Sequence, residues 1–511
     1  MFSKLTSMGL LGIEAFPVEV EAFLSKGMPG FDVVGLPDAA VRESRERVRA
    51  AIRTCGYEFP SAHITVNLAP ADVRKEGAVY DVPLMIALLC ASGQIPAVSA
   101  EHIFVGELSL DGTVRRINGA LPMAIKARDM GAQSFFVPAE NSAEVSVVEG
   151  ISCYPLRTIH ELIDHLCGRQ LISPVTADDY PAAVTRTGEP DFAEVCGQTA
   201  VKRAMEVAAA GGHNILLIGP PGSGKSMLAK RFPSILPEMT FEESVQTTKI
   251  HSITGSLPSG VRLITRRPFR SPHHTASSVS LAGGGHQPIP GEVSLAHNGV
   301  LFLDELPEFA TQTMEALRQP LEDGVVTITR ASGRVTYPCQ FQLVAAMNPC
   351  RCGYYGHPTR ACSCPKGTVN KYLGKISGPL LDRLDIHVEV PPVEFQQLRD
   401  NAEAAESSEV IRRRVNAARD IQKKRYEGTG ITCNARITPA MLREVCTMTE
   451  SAEKMLSVAF DRMGLSARAY DRLLKIARTI ADLDGADIID NRHIAEAVQY
   501  RNLDRKYWTQ I

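Results

Sequence analysis

A glycine-rich loop between an apolar run and a helical run is the feature that most constrains the fold of this chain. The apolar run, residues 214–218, has the length of a buried strand, and residues 227–232 have the composition of a helix start. The loop fits the pattern G-x-x-x-x-G-K-[ST] and reads Gly219, Pro220, Pro221, Gly222, Ser223, Gly224, Lys225 and Ser226. Such a loop lets backbone N–H groups converge on phosphate oxygens. The sequence therefore predicts an α/β domain that binds ATP, with Lys225 on the β- and γ-phosphates and Ser226 on Mg²⁺.

Length and composition place this domain in a larger protein of ordinary globular type. A chain of 511 residues is expected to form about three domains. The formal net charge of −2 means that any nucleic-acid binding must use local basic patches. The longest apolar stretch, residues 82–91, is too short to cross a bilayer, and Glu14 and Pro17 interrupt any signal-peptide core. We therefore expect a cytoplasmic protein without a membrane partner, whose twelve cysteines are reduced thiols or metal ligands.

The first third of the chain, residues 1–170, predicts one α+β domain. Residues 13–23 alternate in the manner of a strand, residues 38–53 have the spacing of an amphipathic helix, and residues 82–91 predict a buried helix. Residues 171–190 are rich in Pro, Thr, Ala and Asp and predict a linker.

Three short runs in this domain resemble the catalytic fold of Lon proteases (S5-like). They are residues 105–112, the pair at 118–119, and residues 137–138. Lon-type peptidases use a Ser–Lys dyad, but the segment 75–81, where the serine belongs, contains none. The place of the lysine is taken by Leu121 and Pro122. We therefore expect a Lon-like fold that is not a peptidase, because the activated nucleophile cannot be assembled; a purely structural domain is an equal alternative.

Two further strand patterns end in polar residues, as expected for a P-loop ATPase core over residues 191–395. Residues 300–303 are apolar and precede Asp304 and Glu305. Asp304 is expected to help hold Mg²⁺, and Glu305 to polarise the attacking water. Residues 341–347 predict a third strand that ends at Asn348. This asparagine resembles the residue that orients the water in AAA+ proteins (sensor 1).

Two arginines resemble residues that complete AAA+ sites. The segment 377–385 is similar to the one that carries the trans-acting arginine of magnesium-chelatase and replicative-helicase modules, which implies that Arg383 serves a neighbouring subunit. Its alternative is a salt bridge with Asp382 or Asp385. Arg468 opens a helix where a sensor 2 arginine is expected, and a solvated arginine is the alternative.

Two inserts carry the basic residues. The first, residues 240–290, is predicted to be turn-rich, and its candidate DNA contacts are Arg266, Arg267 and Arg270. The second, residues 325–337, has the β-branched alternation and Ser-Gly turn of a hairpin. Arg330 and Arg334 flank its tip, where they could meet DNA phosphates in the pore of a ring; a solvated hairpin end is the alternative.

Together the phosphate loop, residues 290–305 and the hairpin resemble the magnesium-chelatase-like AAA+ group. With a preceding Lon-like domain, the chain resembles the ComM/YifB family over nearly its whole length. That resemblance implies a hexameric ATPase ring that moves on single-stranded or branched DNA and promotes branch migration during natural transformation. The alternative is a protein-remodelling or magnesium-chelatase-type ATPase subunit. A non-enzymatic binding module is disfavoured by the complete set of Lys225, Asp304 and Glu305.

A cluster of cysteines directly follows Asn348. Cys350 and Cys352 are separated by nine residues from Cys362 and Cys364, a density that predicts a structural Zn²⁺ site in a reducing compartment. A loop of incidental thiols is the alternative, since each pair is separated by one residue rather than the commoner two.

The last part of the chain, residues 396–511, predicts a small helical lid. Residues 403–426 predict a basic helix, for which a solvated face is favoured over DNA contact. Further helical patterns follow over residues 438–500.

Overall fold

The computed structural model describes residues 1–179, 190–285, 288–330, 333–357, 359–392, 406–464 and 466–508. The strands are β1 (Phe2–Leu11), β2 (Glu14–Ser25), β3 (Gly30–Val34), β4 (His63–Ala69), β5 (His102–Phe104), β6 (Glu107–Leu108), β7 (Val114–Arg115), β8 (Ser134–Pro138), β9 (Ser152–Leu156), β10 (Ile215–Ile218), β11 (Phe269–Arg270), β12 (Gly283–Gly284), β13 (Ile289–Pro290), β14 (Val300–Leu303), β15 (Val325–Arg330), β16 (Gly333–Pro338), β17 (Gln342–Met347) and β18 (Ile386–Glu389). The helices are α1 (Ala39–Thr54), α2 (Asp81–Ala91), α3 (Ala120–Asp129), α4 (Ser142–Val145), α5 (Ile159–Leu166), α6 (Thr199–Gly211), α7 (Lys225–Arg231), α8 (Phe241–Ile253), α9 (Ser278–Ala282), α10 (Glu292–Leu295), α11 (Thr311–Glu315), α12 (Arg318–Asp323), α13 (Lys366–Leu373), α14 (Gly378–Leu381), α15 (Ser408–Arg425), α16 (Pro439–Val445), α17 (Glu450–Met463), α18 (Ala467–Leu483), α19 (Asn491–Gln499) and α20 (Asn502–Tyr507).

The chain forms two compact units, each assembled from separate segments. The first contains Met1–Thr185, Thr240–Thr265 and Thr329–Tyr337. The second contains Arg186–Met239, Arg266–Ile328 and Pro338–Ile511.

The first unit is built on a seven-stranded mixed sheet in the order β3-β4-β2-β1-β5-β8-β9. The predicted strand over 13–23 is β2, and the predicted helices over 38–53 and 82–91 are α1 and α2. Asp38 caps α1 by accepting a hydrogen bond from the Val41 N–H at 2.8 Å. Strand β1 is missing from the sequence prediction. Polar residues such as Ser7 interrupt its apolar pattern, but the Ser7 hydroxyl is buried and donates to the Phe104 carbonyl at 2.8 Å.

The residues at the positions where a Lon-type dyad would lie are buried, and one of them forms an ion pair. Lys75 is buried, and its ammonium donates to the Val73 carbonyl at 2.8 Å. Asp81, at the start of α2, is buried against the Arg47 guanidinium at 2.6 Å. Leu121 and Pro122 are buried in α3. These contacts stabilise the fold of the first unit.

The segment 240–265 of the first insert differs from its prediction. The prediction of a turn-rich segment is wrong for Phe241–Ile253, which form helix α8 within the first unit. The helix begins with a capping box in which Thr240 and Glu243 satisfy each other's backbone N–H groups. Helix α8 packs against α3.

The second unit is built on a parallel five-stranded sheet in the order β11-β14-β17-β10-β18. Strands β10, β14 and β17 are buried along their whole length, which explains their continuous apolar runs. Helices α15 to α19 form the helical C-terminal part, and α18 packs against α6, α15 and α19. The predicted multidomain fold, with a parallel-sheet core and a helical C-terminus, is confirmed. No helix of the described ranges is long and apolar enough to cross a membrane.

The basic helix α15 is engaged within the second unit. The Arg425 guanidinium forms two hydrogen bonds with the Asp482 carboxylate at 2.9 and 2.6 Å. The Arg419 guanidinium donates to the Ala209 carbonyl at 3.0 Å. The prediction of a solvated basic face is therefore wrong for these two arginines, whose charges join the C-terminal helices to one another and to α6.

Candidate functional site

Three neighbouring strands bring the candidate site together at one edge of the parallel sheet. Strand β17 lies between β10 and β14 and is parallel to both. Because parallel strands end at the same edge, the residues that follow Ile218, Leu303 and Met347 converge there. The phosphate loop, the Asp304–Glu305 pair and Asn348 are therefore assembled at the carboxyl edge of the sheet.

The phosphate loop has the backbone shape that a phosphate cradle needs. Gly222 and Gly224 have φ angles of 77° and 90°, which favour glycine. A Cβ atom on Gly219 would lie 2.3 Å from the Val390 carbonyl oxygen, so only glycine fits there. The buried Ser223 hydroxyl has no hydrogen-bond partner among the described residues. An orphaned donor inside an open glycine loop fits a phosphate oxygen.

Lys225 is held inside the loop. Its ammonium donates to the carbonyls of Gly219 and Pro220 at 2.8 and 2.9 Å and to the Asn348 side-chain oxygen at 3.1 Å. Burial lowers the pKa of Lys225, although the carboxylates of Asp304 and Glu305 raise it in part. The loop thus holds a cation in contact with Asn348, the residue predicted to orient the water.

Ser226 and Asp304 form the oxygen pair expected of a magnesium site. The Ser226 hydroxyl donates to the Asp304 carboxylate at 2.6 Å. Hydroxyl and carboxylate oxygens are ligands that Mg²⁺ accepts, usually together with phosphate oxygens and water. The donor set therefore fits Mg²⁺ bound together with a nucleotide.

Glu305 has an unusual backbone and a partner that its sequence context does not reveal. Its φ angle is 53°, in the left-handed region that few non-glycine residues adopt. Its carboxylate lies 3.4 Å from Nδ1 of His274, which belongs to the first insert. The side chain of His274 thus contacts the residue predicted to activate water.

Arg383 lies at the opposite edge of the sheet from its own phosphate loop. Its carbonyl accepts from the Asn214 side chain at 2.9 Å, just before β10, whereas the loop follows β10. The four residues of β10 separate the two places by roughly 13 Å. The Arg383 guanidinium pairs with Glu322 and donates to the Pro379 carbonyl at 2.7 Å. Arg383 therefore forms a salt bridge, as in the alternative prediction, but its partner is Glu322 rather than Asp382 or Asp385.

Asp382 and Asp385 pair instead with Arg472 of α18. The distances from its guanidinium to the two carboxylates are 3.7 and 3.5 Å. Arg468 lies one turn earlier in the same helix and is exposed, so its sensor 2 role stays a prediction. Arg472 was not among the residues predicted from the sequence, although its spacing of four from Arg468 places both on one helix face.

The candidate DNA contacts fall into two groups. The Arg267 guanidinium donates to the carbonyls of Pro237 and Asn298, at 2.5 and 2.7 Å. Arg270 forms two hydrogen bonds with Glu292, at 2.6 and 2.8 Å. These contacts give both arginines a packing role within the second unit, and Arg266 is half-buried beside them.

Arg330 and Arg334 are exposed on the predicted hairpin, formed by β15 and β16. The outer part of the hairpin belongs to the first unit, where Val335 packs against Gly12 in the β1–β2 turn. A Cβ atom on Gly12 would lie 2.3 Å from the Val335 side chain. The hairpin is therefore anchored near its end, and its two arginines remain at the surface.

The four cysteines predicted to bind zinc come together. The sulfur atoms of Cys350, Cys352, Cys362 and Cys364 all lie within 4.8 Å of one another. Three of the Sγ–Sγ distances are 3.3, 3.5 and 3.6 Å. A disulfide would need about 2.05 Å, whereas the edge of a tetrahedral zinc–thiolate site is roughly 3.8 Å. The cluster has the dimensions of a metal site.

Comparison with known proteins gives matches along most of the chain. The family model for magnesium chelatase, subunit ChlI, matches residues 191–398. The model for subunit ChlI of Mg-chelatase matches residues 20–141, and that for the ChlI C-terminal part matches residues 405–501.

Full-length relatives are also found. The chain is 44% identical to "Uncharacterized protein YifB" of Escherichia coli (strain K12), covering 97% of this chain and 96% of that protein. It is 40% identical to "Competence protein ComM" of Haemophilus influenzae, covering 98% and 97%. A shorter match, 28% identical, joins 26% of this chain to 23% of Lon protease 2 of Bacillus subtilis.

Proposed function

Since this chain belongs to the ComM/YifB family of magnesium-chelatase-like AAA+ proteins, we propose that it is an ATP hydrolase whose motor acts on single-stranded or branched DNA. The family supports the ATPase part of this proposal. The observation that carries it is the convergence of Lys225, Ser226, Asp304 and Asn348 at one sheet edge, around a buried Ser223 hydroxyl that has no partner among the described residues.

Each residue at this edge has a distinct task in the proposed reaction. Lys225 leaves the carbonyls of its own loop and neutralises the β- and γ-phosphates. Ser226 and Asp304 would hold Mg²⁺, which would neutralise part of the charge of the phosphates. Glu305 accepts a proton from the attacking water, and Asn348 orients that water.

We propose that the working form is a ring of identical chains, hexameric as in the family. The position of Arg383 supports this assembly, because it lies at the edge of the sheet away from its own phosphate loop. In a ring, the Arg383 of one subunit can reach the nucleotide of its neighbour, where a guanidinium stabilises the charge of the transferred phosphoryl group. Release from Glu322 is then part of assembly.

For DNA we select Arg330 and Arg334 as the contacts. Both are exposed on a short hairpin, and exposed guanidinium groups bind phosphates without regard to sequence. The Haemophilus relative is named a competence protein, which supports a role in DNA uptake, with branch migration as the proposed activity.

The experiment is steady-state ATP hydrolysis by the full chain, with no DNA, with single-stranded DNA and with branched DNA. Lys225→Ala is the blank. We expect DNA to stimulate turnover severalfold and the double change of Arg330 and Arg334 to alanine to abolish that stimulation while basal turnover remains. An Arg413→Ala variant, which removes an exposed arginine of helix α15 in the second unit, is the control.

The second candidate is a protein-remodelling or chelatase-type ATPase subunit. It is favoured by the ChlI family models and by the packing roles of Arg267 and Arg270, which reduce the number of basic groups left for DNA. Normal basal turnover that responds to no form of DNA would favour this candidate.

We also propose that the four-cysteine cluster holds a structural Zn²⁺ ion. The sulfur spacing and the burial of Cys350 support it.

A further inference from the structure

We infer that the four-cysteine metal site supports the phosphate loop, so that loading of the site with Zn²⁺ sets the affinity for nucleotide. The inference rests on the proposed binding of nucleotide at that loop. It assigns the metal a task that neither the family matches nor the relatives' names mention.

The cysteine cluster begins where the sensor strand ends. Strand β17 ends at Met347, Asn348 follows, and Cys350 comes two residues later. The Cys350 side chain is fully buried, and its carbonyl accepts a hydrogen bond from the Gly353 N–H at 3.0 Å. The turn over residues 350–353 is therefore fixed at its first cysteine, directly beside the nucleotide edge of the sheet.

Gly353 is the contact between this turn and the phosphate loop. A Cβ atom placed on Gly353 would lie 2.2 Å from Cδ and 2.7 Å from Cγ of Pro221. Pro221 is the third residue of the phosphate loop, so the turn packs against that loop without room for a methyl group. The φ angle of Gly353 is 85°, which also favours glycine.

Two further contacts join the same pair of segments. The Gly219 N–H donates to the Met347 carbonyl at 3.2 Å, and the Lys225 ammonium donates to the Asn348 side chain at 3.1 Å. Three residues of the phosphate loop thus contact β17 or the residues that follow it. Gly219 and Lys225 bond to the end of the strand and to Asn348, and Pro221 packs against Gly353. Only the Pro221 contact depends on residues inside the cysteine cluster.

The cluster needs a central ion to hold this turn in place. The two cysteine pairs are separated by nine residues, and contacts among their thiols stabilise the loop little. One Zn²⁺ bonded to all four thiolates would close the loop 350–364 with four bonds of about 2.3 Å. Without the ion, only weak thiol–thiol contacts hold Cys362 and Cys364 beside Cys350. Gly353 then loses its fixed position. The phosphate loop then loses more conformational entropy when it closes on phosphate, and this loss weakens nucleotide binding.

The test measures zinc content and nucleotide affinity in the same preparations of the full chain. Zinc is measured by elemental analysis, and affinity by titration with a fluorescent ATP analogue in the presence of Mg²⁺. In the Cys362→Ser and Cys364→Ser variants we expect loss of zinc and at least tenfold weaker binding. Cys167→Ser, which removes a thiol in the first unit, is the control and keeps both values.

A pair of glycine variants separates the contact from the metal. Gly353→Ala is expected to keep its zinc and still to bind nucleotide at least tenfold more weakly, because the methyl group pushes on Pro221. Gly356→Ala is its matched control in the same loop. Gly356 has a similar φ of 75°, but its Cβ would meet only the flexible end of Lys506, at 3.5 Å, and the Tyr507 side chain, at 3.9 Å.

Three results decide the inference. Zinc-free cysteine variants that bind nucleotide as tightly as the wild type overturn it, and so does a Gly353→Ala variant that binds like Gly356→Ala. A wild-type protein that neither contains zinc nor takes it up from ZnCl₂ overturns the metal site itself. Failure of zinc-loaded wild type to bind nucleotide would instead overturn the proposed function.

Discussion

At the scale of single residues, Glu305 is the group on which hydrolysis is expected to depend. It follows Asp304 at the end of β14, with a left-handed backbone and its carboxylate 3.4 Å from His274. We predict that Glu305→Gln keeps nucleotide affinity, since it leaves Lys225 and Ser226 in place, but lowers kcat by about 10²- to 10⁴-fold through loss of the proton acceptor.

Steady-state ATP hydrolysis and nucleotide titration on the same preparation check this prediction. The control is Glu308→Gln, which removes an exposed carboxylate three residues further on, paired with Lys375 at 3.5 Å. Wild-type turnover in Glu305→Gln would show that another group activates the water.

The residues that meet at the carboxyl edge of the parallel sheet could be predicted because each lies in a local pattern. Lys225 and Ser226 follow a glycine loop, and Asp304 and Asn348 end apolar runs. Their partners could not be predicted, because they come from distant parts of the chain. His274 contacts Glu305, Glu322 pairs with Arg383, and Arg472 pairs with Asp385. Nothing in the local sequence of a charged residue states which distant opposite charge it meets.

At the scale of elements, helix α8 shows how tertiary contacts decide a segment that composition leaves open. Its polar residues suggest turns, yet Ser252 near its end is buried and makes two contacts with the Lon-like fold. The Ser252 carbonyl accepts from the Gly119 N–H at 3.1 Å, and its hydroxyl donates to the Glu144 carboxylate. The strands and helices with regular periodicity, such as β2, α1 and α2, could be predicted without knowledge of tertiary contacts. The structure confirms them.

The contact with Glu144 gives a stability prediction for this helix. Glu144 is buried, burial raises its pKa, and Asn141 donates to it at 2.6 Å. Ser252→Ala removes one donor from a buried carboxyl group, which is expected to lower the free energy of unfolding by about 1–3 kcal/mol.

Urea unfolding followed by far-UV circular dichroism measures this change. Ser61→Ala is the control, because Ser61 is an exposed serine of the same unit. Equal stabilities of the two variants would mean that Ser252 contributes no net hydrogen bond.

At the scale of the whole molecule, the residues predicted to act on ATP lie in two groups at opposite edges of the parallel sheet. Lys225 and Glu305 lie at the carboxyl edge of the parallel sheet, whereas Arg383 precedes β18 at the amino edge. Sequence motifs supplied both sets of residues but not their separation, which follows from the direction of the strands. We therefore predict that a complete site needs the Arg383 of a second copy.

Mixing two inactive variants tests this directly. Lys225→Ala and Arg383→Ala should each hydrolyse ATP poorly, the first from a damaged phosphate loop and the second from a missing trans arginine. After subunit exchange, roughly a quarter of the interfaces in an equal mixture combine an intact loop with an intact arginine, so turnover should reappear. Lys225→Ala mixed with Glu305→Gln is the control and should stay inactive, because both changes damage the same edge of one chain and no pairing restores it. Recovery confined to the first mixture would establish a site shared between copies, whereas no recovery in either, with exchange verified by labelled subunits, would rule out Arg383 as an arginine that acts on a neighbouring subunit.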